Sequence, residues 1–188
     1  PAQPARRCAQ GRPSPCSGHP LGVRGHGQPA TSRARSRAGE GSGAAYVVFG
    51  KASGFDVTFN LSSLDGNNGF RLEGAAAGDN SGRSVSTAGD FNGDGFDDVI
   101  IGAVAADPNG IDSGSAYVVF GKASGFSASL NLSNLSSTDG FSLSGLAAGD
   151  SLGKSVSSAG DINNDGFDDL IIGAPFATGG TFNSGAGY

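Results

Sequence analysis

The sequence predicts an all-β fold assembled from tandem units, on three observations. The segment YVVFGKASGF at residues 46–55 recurs unchanged at 117–126, and a third tyrosine closes the chain, so Tyr46, Tyr117 and Tyr188 stand 71 residues apart. Within one such period lie four short apolar segments, each bounded by glycine or turn residues. The 188 residues include 34 glycines and eight prolines but no tryptophan or methionine, a composition that favours turns and short strands over long helices.

In the unit from 78 to 148 the four segments are SVSTA from Ser84, DVIIGA from Asp98, SAYVVFG from Ser115 and GFSLSGL from Gly140. All are too short for helices. The runs VII and YVV predict strands buried on both faces, whereas the alternation in FSLSG, and in its earlier copy FRLEG around Phe70 and Leu72, predicts half-buried strands. A four-strand unit in tandem is the pattern of a propeller blade; 71 residues is long for one turn of a solenoid. The expected architecture is a partial β-propeller of about two blades' worth of four-stranded antiparallel sheet. Residues 39–77 supply the second half of one blade, 78–148 a complete blade and 149–188 the first half of another. Since a propeller closes with about four to eight blades, the chain is expected to work within a longer array or with other chains.

Residues 1–38 differ in kind. Seven arginines, both histidines and both cysteines (Cys8, Cys16) fall there among Pro, Gly, Ala and Ser, while all 17 acidic residues come from Glu40 onward and face only Lys51, Arg71, Arg83, Lys122 and Lys154. The body is acidic and the tail basic. With no apolar face and no interleaved aromatics, the tail predicts neither a nucleic-acid arm nor a membrane-inserting helix. It reads as a disordered extension or a stretch foreign to the native body, and it has no apolar core of a secretory signal.

The chemistry concentrates in two loops, DFNGDGFDD at 90–98 and DINNDGFDD at 161–169. Counting from the first aspartate, positions one, three, five and nine are Asp90, Asn92, Asp94 and Asp98 in one loop and Asp161, Asn163, Asp165 and Asp169 in the other. Position seven, Phe96 or Phe167, offers its backbone carbonyl, and Gly95 or Gly166 at position six permits the sharp turn. Three carboxylates with only hard oxygen donors select Ca²⁺ over softer metals, and a flexible many-oxygen loop suits Ca²⁺ better than Mg²⁺. An EF-hand starts alike but ends on Glu at position twelve between helices; here that position is Ile101 or Ile172 inside an apolar strand. A solvated Asp/Asn/Gly turn is the plain alternative for one copy, and two copies in register argue against it. Asp97 and Asp168, at position eight, are expected to point away and receive no ligand role.

The segments SGRSVSTAGDFNGDGFDDVIIGAV and LGKSVSSAGDINNDGFDDLIIGAP resemble FG-GAP repeats, the blades of integrin alpha-subunit propellers and of many bacterial surface proteins. The resemblance runs from about residue 43 to the end. It departs from the pattern at Ser81-Gly82 and Leu152-Gly153, which replace Phe-Gly, and at Val104, which replaces proline, while Gly173-Ala174-Pro175 is intact. It implies a seven-bladed ring, calcium on the loops at one end, and adhesion at the cell surface or outside the cell.

The body has neither His nor Cys, and its serines lack a visible base, so no catalytic residue is expected in it. The expected partners are a protein or glycan ligand and further blades in cis, with no nucleic acid and no membrane insertion. The loops at 105–114 and 54–69 are the candidate partner surfaces, and NLS at Asn60 and Asn131 matches the glycan-acceptor pattern. The rival to an adhesion module is an accessory or structural calcium-stabilised propeller of a larger secreted hydrolase.

Overall fold

The computed structural model describes residues 41–178 and 185–188. The expectations for the tail at 1–38 lie outside the described residues. The described chain is all-β: no α-helix occurs in it, and ten strands form three sheets that do not close on themselves.

The central sheet is the complete four-stranded unit. Its strands β3 (Ser81–Gly89), β4 (Asp98–Ala103), β5 (Ser115–Val119) and β7 (Gly140–Ser144) run antiparallel in the order β3-β4-β5-β7. Each of the four apolar segments forms one of them. Before the central sheet, β1 (Ala44–Val48) and β2 (Gly69–Glu73) pair antiparallel. After it, β8 (Ser155–Gly160) and β9 (Asp169–Ala174) pair antiparallel, with β10 (Ala186–Gly187) added to β9.

Alternation along the central strands explains why this sheet is buried on both sides. Ile101, Tyr117 and Val119 pack with Phe70 and Leu72 of the first sheet, whereas Ile100, Ala116 and Val118 pack with Leu152 and with Ile172 and Ala174 of the third sheet. Successive strand residues point to opposite faces, so each face meets a different neighbour. Fully burying a Val, Ile or Phe side chain contributes about 1.5–3 kcal/mol, which makes these interfaces the main source of cohesion.

The junctions between sheets repeat with the same 71-residue period. Isolated parallel bridges join Gly43 to Ser81 and Gly114 to Leu152. A Cβ on Gly43 would lie 2.1 Å from the Ser81 carbonyl oxygen, and one on Gly114 2.3 Å from backbone atoms of Leu152. Both glycines also have positive φ, +78° and +80°, so close approach and conformation both exclude a side chain there.

One strand was not foreseen. The short β6 (Ser129–Asn131) leaves its own blade and pairs parallel with β2, setting Leu130 opposite Leu72. Phe126, at the start of the same connection, stacks on Phe70 with centroids 4.1 Å apart and planes 7° from parallel. A three-residue strand with a single apolar side chain at its centre carries too short a pattern to be read from sequence. No helix among the described residues is long and apolar enough to cross a membrane.

Candidate metal centre

Both acidic loops fall where an antiparallel pair turns back, 90–97 between β3 and β4 and 161–168 between β8 and β9. Local hydrogen bonds set their shape. Asp90 Oδ1 accepts from the Asp94 amide at 2.9 Å and Oδ2 from the Gly95 amide at 2.9 Å. Asp161 repeats this with the Asp165 amide at 3.0 Å and the Gly166 amide at 2.9 Å. At position five, Asp94 accepts from the Phe96 amide and Asp165 from the Phe167 amide. Such bonds from Asp and Asn to amides a few residues ahead are what lets these residues hold a tight turn.

The turn also needs left-handed backbone. Gly95 and Gly166 at position six have φ of +87° and +93°. Position four is Gly93 at +73° in the first loop and Asn164 at +61° in the second; asparagine is among the few side chains that tolerate this region.

Position nine opens the following strand and is the anchor of the loop. Asp98 is fully buried, its carboxylate accepting from the Phe91 amide at 3.1 Å and, across the sheet end, from the Gly121 amide at 2.7 Å. Burial pushes the Asp98 carboxyl above the ordinary carboxylate range; the Gly121 and Phe91 amides pull it back and the Asp94 charge pushes it further up. Asp169 repeats the bond within the loop, from the Ile162 amide at 2.9 Å, in a half-buried position.

The predicted donors are thus gathered in two loops of like geometry, but the carboxylates of Asp90, Asp94, Asp161 and Asp165 accept from the loops' own amides. Among the described residues no group of three or more His, Cys, Asp or Glu side chains stands at metal-binding spacing. In the first loop the Asn92 side-chain amide donates to Asp94 Oδ2 at 2.9 Å. That N–H sits against the carboxylate where a cation would otherwise offset its charge. The donor set nonetheless fits a hard cation: an ionised carboxylate has about four lone-pair sites, and the Asp90 and Asp161 bonds above use two each. Asp90, Asn92, Asp94, Asp98 and the Phe96 carbonyl would hold one ion, and Asp161, Asn163, Asp165, Asp169 and the Phe167 carbonyl the other.

Position eight departs from expectation. Asp168 does not merely point away: its Oδ2 accepts from the Asp90 amide of the preceding loop at 2.9 Å, and its own amide donates to the Asp90 carbonyl at 3.3 Å. Its counterpart Asp97 is exposed. Two further carboxylates escaped sequence reasoning. Asp79 and Asp150 are buried, and each caps a turn by accepting from the amide three residues back, that of Ala76 or Ala147. The repeated AAGD at 76–79 and 147–150 was the available signal.

Both candidate partner loops are held by hydrogen bonds, the second by those of Asp65 and Asn68 among others. In 105–114, the Asn109 side-chain amide donates to the Gly145 carbonyl at 2.8 Å, within the same unit, and the Ile111 carbonyl accepts from the Gly149 amide of the next at 2.8 Å, so this loop is tied to the segment that follows β7. In 54–69, Phe55 and Val57 are exposed, Phe55 meeting Phe59 edge-on at 5.6 Å. Asn60 and Asn131 each cap a short 3-10 turn, accepting from the Ser62 and Ser133 amides.

Comparison with known proteins agrees with the repeat. The family model described as FG-GAP repeat matches residues 81–119 and 153–188. The chain is 38% identical over 110 residues to integrin alpha-PS5 of Drosophila melanogaster, covering 58% of this chain and 10% of that protein. It is 37% identical over 110 residues to integrin alpha-5 of Xenopus laevis, covering 56% of this chain and 9% of that one. Integrin alpha-3 of Cricetulus griseus is 37% identical over 108 residues, with the same coverage of 56% and 9%. The chain therefore spans about a tenth of the length of these relatives.

Proposed function

The chain carries FG-GAP repeats at residues 81–119 and 153–188, and from that premise we propose that it is a calcium-binding propeller module of a larger extracellular or surface protein, serving adhesion or protein interaction. The observation that carries this reading is the duplication of one loop at a 71-residue spacing with its oxygen donors and its internal hydrogen bonds preserved. A turn selected only for solubility has no need of the same donor at positions one, three, five and nine twice. The role of each residue follows from the loops. Asp90 and Asp161 organise the turn while offering their remaining lone pairs, Asp94 and Asp165 supply an exposed charge, and Asp98 and Asp169 fix the loop to its strand. Bound calcium would supply charge neutralisation among these carboxylates. In the first loop Asn92 Oδ1 accepts from the Asp94 amide while its N–H bonds the Asp94 carboxylate, so ligation requires that N–H to leave the carboxylate and the oxygen to face the ion.

Calcium also bears on location. For a site with Kd of about 10⁻⁴ M, as in extracellular modules, about 1 mM calcium adds roughly 1.4 kcal/mol of stability, and submicromolar calcium adds almost nothing. Two such sites matter in a chain whose stability is on the order of 5–15 kcal/mol, which favours an exported setting. The exposed side chains of Phe55 and Val57 make the loop at 54–69 the surface best suited to a protein or glycan partner.

Calorimetric titration of the full chain with calcium tests the reading. It should find two sites, with Asp94→Ala or Asp165→Ala each removing one, and excess chelator should lower the melting temperature. A titration without heat, together with a melt indifferent to chelator, would overturn it.

A further inference from the structure

Residue 168 belongs to the second loop by sequence and to the first by contact. It sits between Phe167 and Asp169, both donors of the second loop in the reading above, yet its carboxylate and amide hold both backbone polar groups of Asp90, the first donor of the first loop. The neighbouring side chain makes the same crossing. A Cβ on Gly93 would lie 2.3 Å from Cε1 of the Phe167 ring, and one on Gly89 2.0 Å from Asp168 Oδ2. Phe167 and Asp168 therefore pack onto a surface of the first loop that exists because residues 89 and 93 lack side chains.

This contact explains one of the two differences between the loop sequences, the other being Phe91 against Ile162. At position four the first loop has Gly93 and the second has Asn164, although both adopt left-handed backbone. Asparagine satisfies the conformation, but at residue 93 its side chain would occupy the space of the Phe167 ring. Glycine is present where a neighbouring loop docks.

Resting on the calcium reading, we propose that Asp168 and Phe167 couple the two loops into one cooperative unit, so that a cation held by either loop raises the affinity of the other. The second loop cannot order the carbonyl of Phe167 and the carboxylate of Asp169 without also ordering Asp168 between them, and an ordered Asp168 holds the Asp90 backbone in place. The first cation thus meets part of the ordering that the second would otherwise require. By linkage the effect is reciprocal: the first loop raises the affinity of the second by the same factor. Asp168 is a positioning residue and touches neither ion.

The test is calcium titration of the full chain followed site by site through the Gly95 and Gly166 amide resonances, with calorimetry for stoichiometry. First-loop affinity is measured with the second loop intact and with it disabled by Asp165→Ala; the ratio is the coupling factor, expected to be about 5-fold or more. Asp168→Ala should bring the ratio to about one while calorimetry still counts two sites. Asp168→Asn keeps an oxygen for the Asp90 amide and should retain most of the coupling. Gly93→Asn, which gives the first loop the second loop's own residue, should leave its ligands in place and abolish the coupling by displacing the Phe167 ring. Two bound ions with independent affinities in the unmodified chain would overturn the coupling and leave the calcium reading intact. Asp168→Asn behaving like Asp168→Ala would also overturn it, since the charge and not the hydrogen bond would then be the carrier. Failure of either loop to bind calcium would remove both readings together.

Discussion

The central and third sheets are near copies in sequence, yet one is enclosed and the other is covered on one side. Ile100 and Ile171 occupy the same place in DVIIGA and DLIIGA, but Ile100 is 0% exposed and Ile171 is 53% exposed. Asp98 and Asp169 differ in the same way, the first fully buried with amides from two segments on its carboxylate, the second half-buried. A repeat sequence therefore specifies a blade with two apolar faces, and the energetic value of each face depends on whether a neighbour covers it. That is the behaviour of tandem architectures, in which much of the stability lies in the interfaces between units.

The sharpest way to break this comparison is to remove the same atoms from both sheets. Ile100→Ala should destabilise the full chain by about 2–5 kcal/mol, since it leaves a cavity between two packed sheets. Ile171→Ala should cost about 1 kcal/mol or less, because much of that side chain is already in water. Urea unfolding of both variants decides; similar costs would mean that the two faces are equally covered in solution.

A smaller effect is expected at position eight. Asp168→Ala, measured in chelator so that calcium does not enter, removes the hydrogen bond to the Asp90 amide and should cost about 1 kcal/mol. The equivalent Asp97→Ala, at an exposed position, should lie within about 0.5 kcal/mol of the unmodified chain. Equal effects in thermal melts would show that the link between loops contributes nothing to stability.

The smallest effect compares the first two units through pH. Lys122 is paired with Asp139 at 2.6 Å, and the corresponding residues of the first unit are Lys51 and Asn68, which form no ion pair with each other. The side-chain hydrogen bond from Lys122, with a further one from Ser136, holds the Asp139 carboxyl below its ordinary value of 3.8. A carboxyl depressed in the folded state contributes stability above its unfolded value and loses it as pH falls through the folded one. The difference in urea midpoint between the unmodified chain and Asp139→Asn should therefore be level above about pH 5 and shrink below about pH 4. The pair is partly exposed, with side chains 31% and 27% accessible, so added salt should diminish the difference as well. A difference unchanged down to the lowest pH would remove the pair from the account.

Much of this molecule was legible as sequence because its signals are local. The four apolar segments of the 78–148 unit became β3, β4, β5 and β7, since period-two alternation and bounding glycines act within a few residues of themselves. The acidic loops fell between paired strands, and Gly95 and Gly166 took the left-handed backbone expected of position six. Other features involve partners a whole unit away. The burial of Ile100 against the third sheet, the crossing of β6 to β2, the link from Asp168 to Asp90 and the need for glycine at 93 each join residues that no local pattern connects. Asp97 and Asp168 stand in the same FDD triplet, and only the packing of one loop onto the next distinguishes them. The sequence by itself determined the strands, the turns and the side chains those turns carry, because backbone conformation and side-chain chemistry are properties of short segments. The tertiary structure decided which faces are dry, which carboxylates are buried and which loops touch, because those follow from what is brought alongside from some 70 residues away.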